Sequence, residues 1–131
     1  MNTLWTEWGI LKMADSRAQD IFQYLKARDI EVYFPAQHKG ECLSNYVVVR
    51  TSTSTQFADY SSTITYYDLM CYVPKARYGD LDTFTEAVKD AMKGLVPMIK
   101  PTYTETPGFY DESVKGYMRS IQYRNYRQIV I

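Results

Sequence analysis

The 131-residue chain has one histidine, two cysteines and no net charge, and its six glycines stand one at a time. Each shortage removes a class of function. Cys42 and Cys71 are too few for a disulfide framework and keep no metal-ligand spacing with His38. They are expected to be reduced thiols of an intracellular protein. Isolated glycines make neither a phosphate-cradling loop nor a dinucleotide fingerprint, so no cofactor and no metal is expected. Fifteen basic residues against fifteen acidic ones leave no chain-wide electrostatic footprint for nucleic acid or anionic membrane. No stretch approaches the roughly 20 apolar residues of a membrane span. The opening MNTLWTEWGILKM lacks the basic region and apolar run of a secretion signal. A soluble protein that stays where it is made is expected.

What the chain has in quantity is tyrosine, thirteen of them. A tyrosine ring is apolar with a polar tip, which suits surfaces that are wet before assembly and buried after it. The length fits one domain, residues 1–131, able to bury roughly two-thirds of its unfolded surface without a metal or disulfide. Residues 1–15 read as an arm bearing Trp5 and Trp8. A helix is expected to start at Ser16, capped by its hydroxyl with Gln19 reaching back, and to run to Arg28 with Ala18, Ile21, Phe22 and Leu25 on one stripe. A short strand over 30–34 stops at Pro35. The β-branched run NYVVVR (45–50) predicts a second strand. Residues 51–62, TSTSTQFADYSS, read as a long polar connection or hairpin tip.

The run STITYYDLMCYVP (62–74) is the clearest strand. Tyr67, Leu69, Cys71 and Val73 form its expected core face, yet Ile64, Tyr66, Met70 and Tyr72 on the other face are nearly as apolar. Alternation that weak means burial on both faces, and four such side chains exceed the apolar patch a monomer normally exposes. A second helix is predicted from Asp80, as its N-cap, to about Lys93, with Leu81, Phe84, Val88, Ala91 and Leu95 in step and Gly94 and Pro97 ending it. Three prolines make 96–108 a loop with one extended piece at most. Residues 116–131 predict a long strand with a shift near Asn125. The order is α-β-β-β-α-β: an α+β fold, a mixed or antiparallel sheet of about four strands with two helices packed on one face.

Candidate chemistry is sparse. His38 lies among Gln37 and Lys39 and reads as a solvated loop residue rather than the base of a nucleophile pair. Asp80 with Asp82, and Asp111 with Glu112, sit where acids serve capping and solubility. Asp68, a charge inside an aromatic strand, reads as an edge or surface position that discourages wrong pairing. Its functional alternative is a salt bridge to an arginine of a neighbouring subunit. Arg119, Arg124 and Arg127 with Tyr123 and Tyr126 have the composition of a nucleic-acid surface. On a strand, however, Arg124 points away from the other two.

NYVVVR, then a polar hairpin tip, then STITYYDLMCYVPKARYGDLDTFTEAVKDAMKGL and a terminal strand, resemble the tail terminator (tail completion) proteins of long-tailed bacteriophages. The likeness covers residues 16–131 and rests on layout and strand–helix texture. The tryptophan arm and residues 96–113 match no part of it. The resemblance implies a virion structural protein and no enzyme: a homo-oligomeric ring, a hexamer, on the head-proximal end of the tail tube. It would stop tube growth and present the surface for head–tail joining, with the tube protein and a head–tail connector or stopper as partners, and without direct nucleic-acid or membrane contact. Tyr66, Asp68, Met70, Tyr72, Arg124 and Tyr126 are then the candidate subunit interface. Gln56, Phe57 and Tyr60 are the candidate tube or connector contacts. The alternatives are another neck or minor capsid component, a small nucleic-acid-binding α+β module using the C-terminal arginines, or a small enzyme centred on His38 or Cys71.

Overall fold

In the computed structural model, residues 16–56 and 62–128 are described, with side chains for 17–52 and 63–125. Helix α1 (Ser16–Ala27) turns Ala18, Ile21 and Leu25 inward at helical spacing. The cap expected of the Ser16 hydroxyl with Gln19 lies outside the described side chains. The helix closes on Asp29 at φ 63°. Around it the Asp29 amide donates to the Lys26 carbonyl and the Ile30 amide to the Leu25 carbonyl, at 3.1 and 3.2 Å. That double closure usually recruits glycine.

Strand β1 (Val32–Tyr33) is only two residues long and runs parallel to β2 (Tyr46–Gln56). Strand β3 (Ser62–Pro74) pairs antiparallel with β2, and β6 (Gly116–Gln128) antiparallel with β3. Two further strands, β4 (Lys100–Glu105) and β5 (Phe109–Asp111), pair antiparallel with β6. The molecule is therefore α+β with a mixed six-stranded sheet of order β1-β2-β3-β6-β4, β5 lying beside β6.

Three expectations are corrected. The sheet has six strands instead of about four, because the proline-bearing segment 100–105 and the short 109–111 both find the free side of β6. Much of the polar 51–62 stretch is strand: its threonines are β-branched, and 53–56 pair with residues 63–66 of β3. The irregularity lies in β2 between Thr51 and Thr53, while β6 pairs β3 without interruption from Gly116 to Gln128.

Helix α2 (Asp80–Met92) buries Leu81, Thr85, Val88 and Met92, with Phe84 and Ala91 half-buried beside them. Gly79, not Asp80, is its N-cap and no side chain caps it; Asp80 and Asp82 instead place negative charge in the first turn. Thr85 resolves its own burial by donating to the Leu81 carbonyl at 2.7 Å. The main core joins both helices to one face of the sheet through Val47, Val49, Tyr67, Leu69, Cys71, Ile121 and Tyr123, with Ile99 from the loop before β4. Each such aliphatic side chain contributes roughly 1.5–3 kcal/mol. No helix among the described residues is long and apolar enough to cross a membrane.

Candidate functional site: the helix-free sheet face and its β4 edge

Odd residues of β3 face the helices, so its even residues share the opposite face with their cross-strand partners. Register sets these out in rows. Tyr46, Tyr72, Met118 and Phe109 form the first, Val48, Met70 and Ser120 the second, Arg50, Asp68 and Gln122 the third, and Tyr66, Arg124 and Lys100 the fourth. The face thus grades from aromatic and apolar to charged.

The chain itself seals the Tyr46 and Tyr72 end of the first row, while Met118 is half-buried and Phe109 exposed. The Tyr46 and Tyr72 rings stack at 4.8 Å, and His38 stacks on Tyr46 at 4.0 Å. Tyr33 stands edge-on to both Tyr46 and His38. The Cys42 amide donates to the Val114 carbonyl at 2.7 Å, tying the loop before β2 to the turn before β6. Cys42, Tyr46, Val48 and Tyr72 make a second apolar cluster flanked by Tyr33, Met70, Val114 and Met118, and none of these residues belongs to a helix. Burial pushes the Cys42 thiol up to about 11 and the Tyr72 phenol up to about 12, the latter helped by the nearby Asp111 carboxylate.

Two residues therefore differ from expectation. His38 is a packed member of this aromatic stack rather than a solvated loop residue, and its Nδ1 is buried with no hydrogen-bond partner among the described residues. Asp68 lies on a central strand, not an edge, and its carboxylate accepts from Arg50 Nη2 of the same chain at 2.7 Å. Register places the two directly opposite each other, so a neighbour's arginine is not needed.

Tyr66, Asp68, Met70, Tyr72 and Arg124 do share one face, but unequally. Tyr72 and Asp68 are buried, Tyr66 and Met70 half-buried, Arg124 exposed. Tyr126 pairs with Ile64 in register and Gln56 with Thr63, while their side chains lie outside the described residues. Phe57 and Tyr60 lie wholly outside them. Arg119 points to the helix side and grips Asp82. Asp111 accepts from the Ser113 amide and hydroxyl. Cys71 is buried near Thr85, and desolvation raises its thiol to about 12. Among the described residues, no three of His, Cys, Asp and Glu gather as a metal-holding group.

Sequence reasoning missed the exposed apolar residues Leu43, Val96 and Met98 of the loops, Tyr103 of β4 and Phe109 of β5. Their signal was present as large apolar side chains in proline- and glycine-punctuated segments. Only the strand pairing reveals that they stay outside. Val96, Pro101 and Tyr103 border a cleft of about 460 Å³ between the end of α2 and β4, whose lining includes Met92, Ile121, Tyr123, Lys93, Lys100 and Arg124. Neither a protein-family model nor a curated protein matches the sequence.

Proposed function

We propose that the chain is a virion structural protein, the tail terminator of a long-tailed bacteriophage, working in the virion neck as a homo-oligomeric ring, a hexamer. The ring caps the tail tube and offers the surface to which the head connector docks. The observation that carries this reading is the helix-free face: Met70 and Tyr66 keep solvent access in its middle, with Phe109 exposed at its border. Tyr66 and Met70 are half-buried and Phe109 is 47 % exposed, so these side chains form the apolar centre, and a minor share, of the ~800 Å² that each partner brings to a stable interface. Strands that outrun the core support it too. Among the described side chains the apolar core cluster reaches Val49, Tyr67 and Tyr123, with Thr65 and Asn125 buried beyond it, whereas β2, β3 and β6 continue to Gln56, Ser62 and Gln128. Such an extension is suited to reaching a neighbour.

The test is to mix the purified protein with polymerised tail-tube protein from the same genome and image by negative-stain electron microscopy. Rings or caps at one tube end, and shorter tubes when the protein is present during polymerisation, are expected. Tubes of unchanged length with bare ends would overturn the reading.

A further inference from the structure

We propose that two copies of this chain pair helix-free face to helix-free face in a two-fold dimer, with strands antiparallel across the contact and Met70 on the axis. The inference rests on that face alone and stands whether or not the chain forms a ring. Where a ring forms through the same face, the dimer has to open first.

The placing of charge about the Val48–Met70–Ser120 row selects a second copy. On β6, Gly116 lies four residues before Ser120 and Arg124 four residues after it. Gly116 is paired with Asp111 and Arg124 with Lys100. On β2, Tyr46 lies two residues before Val48 and Arg50 two after it. Glu31 stands beside Tyr46 in the β1–β2 register. Val32 goes to the core, so Glu31 and Tyr33 on either side of it face the other way, and the Tyr33 hydroxyl donates to the Glu31 carboxylate. Acids thus lie on one side of the Met70 row, and cations at equal distances on the other. A half-turn about an axis through Met70, perpendicular to the strands, lays Asp111 on Lys100 and Arg124 of the second copy and Glu31 on its Arg50. Each contact then occurs twice, as an isologous interface requires.

These charges are available. Lys100 and Arg124 stand directly opposite each other, both exposed, and no acid pairs with either among the described residues. Like charges facing each other across two strands are destabilising, and a carboxylate brought between them removes that cost. Arg50 keeps 52 % of its side chain in water although it holds Asp68. Glu31 is exposed, and Asp111 is half-buried, accepting from the Tyr72 hydroxyl at 3.4 Å. The turns at the acid end add Lys39, Arg77 and Lys115 against Glu41 and Glu112, so with Glu31 and Asp111 that end holds four acids to three bases. Between the charged ends, Met70 and Met118 are half-buried and Phe109 is exposed, apolar surface that self-pairing covers.

The same pattern disfavours other ways of covering the face. An axis along the strands would bring cationic end against cationic end. A polyphosphate crossing the face would leave the cations and meet Glu31 and Asp111. From the Asp111 row to the Arg124 row the face spans ~27 Å at ~3.4 Å per residue, and four strands ~4.8 Å apart make it ~20 Å wide. That footprint is at the small end for specific pairs, so the dimer is a reversible one.

The test is sedimentation velocity of the full chain without tube protein, from micromolar to submillimolar concentration. A concentration-dependent rise from the mass of one chain toward that of two, weakened by salt, is expected. Lys100→Glu with Arg124→Glu, Asp111→Lys, and Met70→Arg should each weaken the dimer at least about tenfold. Mixing the first of these variants with Asp111→Lys should restore a dimer holding one copy of each, because each supplies the charge the other lacks. Lys75→Glu should change nothing, since Lys75 lies over the Tyr110 ring on the helix side. Tube capping is read in separate micrographs, so the ring reading and the dimer fail independently. One chain's mass at every concentration, no recovery on mixing, equal weakening by Lys75→Glu, or a mass shift only on adding oligothymidylate would each overturn the proposal. Unchanged circular dichroism in every variant separates loss of pairing from loss of fold.

Discussion

Arg50 leaves 52 % of its side chain in water, whereas the Asp68 carboxylate it holds is only 12 % exposed. Removing the arginine strands a desolvated charge, so Arg50→Ala is expected to cost about 1–3 kcal/mol. Pairing Arg50→Ala with Asp68→Leu should recover most of that loss, measured as urea midpoints at constant slope. The buried thiols and phenol set the pH behaviour. Cys42, Cys71 and Tyr72 are held near 11, 12 and 12 because the folded chain disfavours their anions. The unfolded chain ionises them at 9.0 or 10.0, so it releases protons first as pH rises. Their stabilising contribution is whole below about pH 9 and is lost between there and about pH 12. Denaturation midpoints should be level on the acid side of that window and fall through it, and a thiol reagent should react only as fast as the chain opens. At this scale the sequence was least legible. His38 lies among polar neighbours in the chain, and only the return of β2 beneath it brings Tyr46 within stacking distance.

Elements were legible in proportion to how far their own side chains dictate them. Helix α2 shows its stripe because Leu81, Val88 and Met92 must all meet one sheet face. Strand β3 shows itself through β-branched and aromatic residues. Strands β4 and β5 gave little signal, since KPTYTE holds a proline and two charges and becomes strand only because β6 offers it an unpaired edge. The close of α1 on Asp29 was invisible for a similar reason: its φ of 63° follows from where Ile30 must go next. Glycine adopts that conformation freely, so Asp29→Gly is expected to raise stability by roughly 0.5–1 kcal/mol, and a β-branched substitute to lower it. Thermal melts of both variants check the pair. Gly116→Ala should act oppositely, because an added Cβ would lie 2.9 Å from the Val73 carbonyl oxygen, which is backbone, and 2.9 Å from Cys42 Cβ. A loss of about 1–3 kcal/mol is expected from that overpacking.

Across the whole molecule the two sheet faces have different roles, and adjacent residues of β3 separate them. Leu69 points into the helix-covered core and is fully buried; Met70 points the other way and is half-buried between Val48 and Ser120. Leu69→Ala should therefore cost about 2–5 kcal/mol, the ordinary toll of a core cavity. Met70→Arg, with solvent within reach of its head group, should change the isolated chain by about 1 kcal/mol or less. Under the ring reading their effects on assembly invert. A guanidinium at Met70 would be desolvated against a neighbouring subunit, so rings and tube caps should vanish from micrographs of a protein that melts normally. Leu69→Ala should assemble wherever it is folded. If Met70→Arg capped tubes as well as the parent, the helix-free face would be a solvent surface, and ring contacts would have to come from elsewhere on the chain.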